Sequence, residues 1–161
     1  DSATQLFGPV VSVYAELRAL TTPTEDDVFL SLRHEPSGTG EGTGGVVSHL
    51  WAGSLVGAPG PRTRVLGDRG AFLVTSFESD ASPFERLDDA APEGNLGWIS
   101  TGRELEPVLQ APGGHADFYR AVARWLTEGG PVPVDPWDAV RTAHVLDAAR
   151  ESASTGARIH V

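Results

Sequence analysis

The chain of 161 residues contains no cysteine, no lysine and no methionine. Without cysteine there is no disulfide framework, no thiolate nucleophile and no cysteine-bound metal. Without lysine every basic residue is arginine, so a Schiff base, a phosphate-loop lysine or a lysine proton donor is excluded for this stretch of polypeptide. Methionine is missing even at position 1, where an aspartate stands, which leads us to expect a processed, trimmed or excised sequence. No apolar run approaches the ~18 residues of a membrane span, and no signal peptide opens the chain. Positive charge is scarce as well: 12 basic against 22 acidic residues leave a net charge of −10. That balance argues against nucleic acid and against anionic membrane surfaces as partners, since both require a basic footprint. A reducing cytoplasm is the expected location.

What is present is an ordinary globular balance tilted toward turns, 40% hydrophobic with 19 Gly and 12 Pro, long enough for one domain over residues 1–161 with a core of its own. DSATQLFGPV reads as a helix already under way. In Val10–Leu17 the residues alternate, Val11, Val13, Ala15 and Leu17 on one side and Ser12, Tyr14 and Glu16 on the other, the mark of a half-buried strand. Val28–His34 is a second strand, with Val28, Leu30 and Leu32 facing one way. Val46–Val56 reads as a third, and Arg62–Gly67 with Gly70–Ser76 as a hairpin around Gly67-Asp68-Arg69-Gly70. After an irregular acidic stretch from Phe77 to Asn95, Trp98–Ser100 and Glu104–Leu109 read as short strands.

The last third changes period. Phe118, Val122, Trp125 and Leu126 fall on one helical face over residues 115–128, ending at Gly129-Gly130. A second helix over 136–154 starts with Asp135 as N-cap and Pro136 in the first turn. Arg158–Val161 closes the chain as a strand. Consecutive strands followed by helices predict an α+β domain: an open-faced, mostly antiparallel sheet with both helices on one face. The uncovered face would then carry Tyr14, Phe29, His49 or Trp51. The strand Val46–Val56 is apolar on both sides, with Leu55 continuing the His49 and Trp51 side, so a second layer is expected from another copy of the chain, giving a homodimer or larger assembly.

Candidate chemistry within the chain is sparse. Gly40, Gly42 and Gly45 satisfy GxGxxG, but a strand pattern follows where a dinucleotide site needs a helix, and Glu41 would repel a phosphate. The five histidines, His34, His49, His115, His144 and His160, make no HxH, HxxxH or HExxH spacing, so no metal site is expected. There is no GxSxG elbow. His49 and Trp51 share a strand face and are candidates for a substrate pocket or an interface, with a packed sheet histidine as the plainer reading of His49. Tyr14, Phe29 and Leu55 are further interface candidates. No catalytic, cofactor-binding or metal-binding set emerges.

Several segments in order resemble the C-terminal domain of the Gfo/Idh/MocA oxidoreductases. They are Leu6–Leu17, the RVLGDRGAFLV hairpin of Arg64–Val74, Phe118-Tyr119, the run Gly-Gly-Pro-Val-Pro-Val at 129–134, Ala139, and Ser152 with Thr155-Gly156. The resemblance implies an open-faced α+β domain that supplies substrate contacts and the oligomer interface. It also implies that the NAD(P)-binding Rossmann domain, with the family's lysine in a Glu-Lys-Pro motif and its Asp/His pair, lies ahead of Asp1 and outside this chain. On that basis the parent is expected to oxidise or reduce a sugar, polyol or related hydroxy compound with NAD or NADP. A free-standing binding or assembly module with the same sheet is the alternative, and the sequence preceding Asp1 would separate the two.

Overall fold

A computed structural model of the chain describes residues 1–36, 45–57, 60–75 and 89–161. The glycine-rich loop at 37–44 and the acidic stretch at 77–88 lie outside the described residues. In chain order the elements are α1 (Ser2–Phe7), β1 (Val10–Arg18), β2 (Asp27–His34), β3 (Val47–Gly53), β4 (Thr63–Leu66), β5 (Ala71–Val74), β6 (Asn95–Thr101), β7 (Glu104–Leu109), α2 (His115–Glu128), α3 (Pro136–Thr155) and β8 (Ile159–His160). They fall into two compact units, Asp1–Leu55 with Arg120–Val161, and Val56–Tyr119. Among the described residues no helix is long and apolar enough to cross a membrane.

The first unit holds an antiparallel sheet in the order β3-β2-β1-β8. Strand alternation sets Val13, Ala15 and Leu17 opposite Leu32, Leu30 and Val28, on one face. α3 lies along β1 on that face, and its small residues Ala148, Ala149 and Ala153 let the helix come close to the strand. Val13, Leu32 and Ala149 are almost fully buried there and form the centre of the core.

The expected alternation fails at one point. A bulge between Val10 and Ser12 turns Val10, rather than Val11, into the core. The Val11 carbonyl instead accepts a hydrogen bond from the Val161 N–H at 3.2 Å, which ties down the chain end.

β8 is short and pairs only with Ser12 and Val13, so Ala15 lies past its reach. Ser152 of α3 takes its place. Its buried hydroxyl accepts from the Ala15 N–H at 3.0 Å and donates to the Ala157 carbonyl at 2.5 Å. One side chain thereby pairs the buried Ala15 N–H and the carbonyl just past the helix end. α3 itself begins and ends as its sequence predicts. Asp135 accepts from the Trp137 N–H at 3.0 Å, Pro136 sits in the first turn, and Gly156 closes the helix in the left-handed region at φ 70°.

α2 has the expected bounds, yet none of its residues is buried. The buried helical residues of this core come from α3.

The second unit is an antiparallel meander, β4-β5-β6-β7. Its first turn is the one expected, with the Gly67 N–H donating to the Gly70 carbonyl at 2.9 Å. Gly97 is required by close approach, because a Cβ there would lie 2.4 Å from the Leu73 carbonyl oxygen of the neighbouring strand. The strands thus divide into two sheets of four where a single sheet was expected. Alternation reports which way side chains face, but not which strand is the neighbour, and pairing decides the division. The class remains α+β.

Candidate functional site

The odd positions of β2 and β3 and the even positions of β1 point away from α3. Register stacks them into rows across the three strands: Tyr14 with Ser31 and His49, Glu16 with Phe29 and Trp51, and Arg18 with Asp27 and Gly53. Among the described residues, no helix buries a side chain on this side.

At the centre is a three-ring cluster. Phe29 lies 5.0 Å from Trp51 and 5.7 Å from His49, and His49 meets Trp51 edge-on at 6.0 Å. These separations suit tilted and edge-to-face aromatic contacts. Phe29 is half-buried, His49 is exposed, and Trp51 keeps 74% of its surface in solvent.

Polar groups flank the rings. The Tyr14 hydroxyl donates to Glu16 Oε1 at 3.0 Å, and this bond together with the carboxylate's charge raises the phenol above its ordinary value. Arg18 meets Asp27 through Nη2 at 2.5 Å and Nε at 2.6 Å. A shallow recess of about 290 Å³ opens among Glu16, Arg18, Asp27, Val28, Phe29 and Trp51. Beside it, in the β1–β2 connection, Asp26 is held down to about 2 by the Thr21 hydroxyl and by the Leu20 N–H, which donates at 2.6 Å.

Four of the five candidates from the sequence, Tyr14, Phe29, His49 and Trp51, therefore share one surface. Leu55 does not join them. β3 stops at Gly53, and the Ser54 N–H turns back to the Asp26 carbonyl at 3.0 Å, so the strand's alternation ends before Leu55. The packed sheet histidine is His34 rather than His49. His34 is 2% exposed, its Nδ1 donates to the Gly8 carbonyl at 2.8 Å, and its Nε2 lies 2.8 Å from the Ser48 hydroxyl. Both nitrogens are spoken for, and the ring is structural.

Arg18 and Asp27 escaped the sequence reading. Extending the alternation of β1 and β2 by one residue would have placed both on this face, but only register makes them neighbours.

The arrangement offers an aromatic platform beside a carboxylate–guanidinium pair. It brings together no nucleophile and base, and among the described residues no three His, Asp or Glu side chains could hold a metal. Nor do the residues fit a dinucleotide. The element after the glycine-rich segment is β3, a strand antiparallel to β2, so no helix N-terminus follows to receive a pyrophosphate.

Comparison with known proteins gives a consistent result. The model of the Gfo/Idh/MocA oxidoreductase family's C-terminal alpha/beta domain matches residues 1–161. Scyllo-inositol 2-dehydrogenase (NADP(+)) IolW of Bacillus subtilis (strain 168) is 27% identical over 165 residues, covering 94% of this chain and 44% of its own length. The yvaA oxidoreductase structure from Bacillus subtilis superimposes with a TM-score of 0.74 at 23% identity, over 99% of this chain and 48% of that one. The WlbA dehydrogenase from Bordetella pertussis, solved in complex with NADH and UDP-GlcNAcA, superimposes with a TM-score of 0.55 at 19% identity, over 98% of this chain and 40% of its own. The structural likenesses carry the fold. The chain spans less than half the length of these relatives.

Proposed function

The chain belongs to the Gfo/Idh/MocA oxidoreductase family as its C-terminal domain, and from that premise we propose that it is the substrate and oligomerisation domain of an NAD(P)-dependent oxidoreductase acting on a sugar, polyol or related hydroxy compound. The observation that carries the reading is the open face of β1, β2 and β3, where Phe29, His49 and Trp51 form an aromatic cluster that nothing in the described chain covers. Large aromatic groups left on an uncovered sheet mark a surface that meets a partner or a ligand. The substrate class is supported by the inositol dehydrogenase among the relatives, and the cofactor class by that relative's NADP(+) and by the NADH bound to WlbA.

In this reading the polypeptide outside the chain binds the nucleotide. When bound, the nicotinamide accepts or donates the hydride. The chain's own part is positioning: a rigid α+β platform, held by the α3 core, that orders the assembly and borders the substrate. Cytoplasmic location and a small-molecule substrate belong to the same proposal.

The test separates the chain from its parent. The full protein carrying this chain should reduce NAD+ or NADP+ in the presence of an inositol or aldose, with absorbance of the reduced nicotinamide as the readout. The 161-residue chain alone should show neither turnover nor micromolar NAD(P) affinity in calorimetric titration. Micromolar nucleotide binding by the chain alone would overturn the division of labour. A full protein inert toward every polyol and sugar with both nucleotides would favour a binding or assembly module instead.

A further inference from the structure

We propose that His34 is a latch across the hinge between α1 and β1, and so a positioning residue for the reaction of the full protein. It fixes the angle at which α1, and any polypeptide joined to it, leaves the sheet. This goes beyond the function proposed above and rests on it for the division between this chain and the polypeptide that binds the nucleotide.

The first argument is the hinge. α1 has six residues, and none of them is buried. A helix that short is not stable alone in water, so its direction comes from what holds it. It joins β1 through Gly8, at φ 84° and ψ −172°, a conformation open to glycine and to almost no other residue. Beyond Gly8 the chain is fixed to the sheet. The Pro9 ring sets its own φ, the Pro9 carbonyl accepts from the Glu35 N–H at 2.9 Å, and Val10 pairs with His34. The swivel between helix and sheet is a single permissive residue.

The second argument is what bridges the swivel. His34 Nδ1 donates to the carbonyl of Gly8 itself at 2.8 Å, and its ring meets that of Phe7, the last residue of α1, edge-on at 5.6 Å. The ring is held in turn from the far side. It is 2% exposed, and its Nε2 lies 2.8 Å from the hydroxyl of Ser48, itself buried, on β3. An apolar side chain would fill this space without the cost of burying polar atoms. What the imidazole adds is a directed bond to the hinge, in an orientation that Ser48 fixes. Ala3 adds a contact at the edge of the core, whereas Leu6 stands exposed.

The third argument is leverage. At about 1.5 Å per residue α1 is about 9 Å long, so a swing of about 20° at Gly8 moves its far end by about 3 Å. A misplacement of about 1 Å between reacting groups can cost about 100-fold in rate. In the reading above, the hydride passes between a nucleotide held outside this chain and a substrate that the chain borders. The angle of α1 then bears on turnover and not on nucleotide affinity.

Hydrogen exchange followed by mass spectrometry, with steady-state kinetics, tests the proposal on the full protein carrying this chain. His34→Leu keeps an apolar side chain in the same space and removes the bond to Gly8. It should speed exchange over residues 2–8 at least ~10-fold and leave exchange over β2 within ~2-fold of wild type. It should also lower kcat at least ~10-fold while KM for the nucleotide stays within ~2-fold. His34→Asn, whose amide can donate to the Gly8 carbonyl, should recover most of the lost kcat. Leu32→Ala loosens the same core away from the hinge and should leave kcat near wild type, which separates positioning from stability. A folded His34→Leu with wild-type kcat, or a loss that His34→Asn does not recover, overturns the proposal. If His34→Leu does not fold, Phe7→Ala decides, and unchanged exchange over residues 2–8 or unchanged kcat overturns it. A wild-type protein inert toward every sugar and polyol overturns the reading above and the positioning role with it, and exchange over residues 2–8 then decides the latch alone.

Discussion

The two faces of the β3-β2-β1-β8 sheet are made by the same strands, yet they differ in kind. On the α3 side, Val13, Leu30 and Leu32 meet Ala148 and Ala149 and exclude water. On the other, Phe29, His49 and Trp51 touch one another and remain in reach of solvent, with Glu16, Arg18 and Asp27 around them. Hydrophobicity does not separate the two, since the open face carries the larger apolar side chains. What separates them is whether the chain supplies a covering layer. Small helical residues opposite aliphatic strand residues give close packing and hence stability. Large aromatic residues with no layer above them give a surface suited to a partner. One face carries the buried core, and the other carries the exposed aromatic cluster on which the proposed function rests.

Substitutions can break that contrast. The largest effect should follow Leu32→Ala, which empties a site 3% exposed and should cost about 2–5 kcal/mol in urea unfolding. Ser152→Ala should come next. It strips the Ala15 N–H and the Ala157 carbonyl of their shared partner, for a cost of about 1–3 kcal/mol by the same measurement. Should Ser152→Ala prove neutral, the hydroxyl is not the link between α3 and β1. Phe29→Ala and Trp51→Ala sharpen the comparison from the other side. Measured on the dissociated chain, Trp51→Ala should shift stability by no more than ~0.5 kcal/mol, with Phe29→Ala somewhat larger because its ring is half-buried. A cost at Trp51 rivalling that at Leu32 would erase the distinction between the faces.

The smallest effect is electrostatic. Asp26 is held to about 2 in the folded chain, against an ordinary carboxylate near ~3.9. A depressed folded value means the stabilisation is fully present above about 4 and is lost as pH falls through about 2. Asp26→Asn should therefore flatten the stability profile in that acid window, because it removes near neutrality the contribution that the wild type loses only in acid. An identical acid limb in the variant would show that the Thr21 and Leu20 contacts do not act on folding.

Much of this contrast can be read from residue order. Alternation in Val28–His34 places Val28, Leu30 and Leu32 together, and the structure keeps them so. Asp135, Pro136 and Gly156 mark the ends of α3 because capping is chemistry of neighbouring residues. The open-face residues Tyr14, Phe29, His49 and Trp51 follow from the same period of two. Where reading failed, the cause was a contact distant in sequence. The bulge at Val10 answers to pairing with His34 and Arg33 across a connection of many residues. Leu55 was lost because Asp26 draws Ser54 out of the strand. The family, by contrast, was legible through short motifs in order along the chain, which survive without any knowledge of contacts.

Residue order settled which segments are strand or helix, which side chains share a face, and that no lysine or cysteine chemistry operates in this chain, because each is a property of one residue or of neighbours in sequence. Folding settled the rest: two sheets instead of one, α3 as the helix that builds the core, His34 as the buried ring, and Arg18 beside Asp27 on the open face. Those outcomes depend on which strand hydrogen-bonds to which, and that choice is made by side chains far apart in sequence competing for burial at the same place.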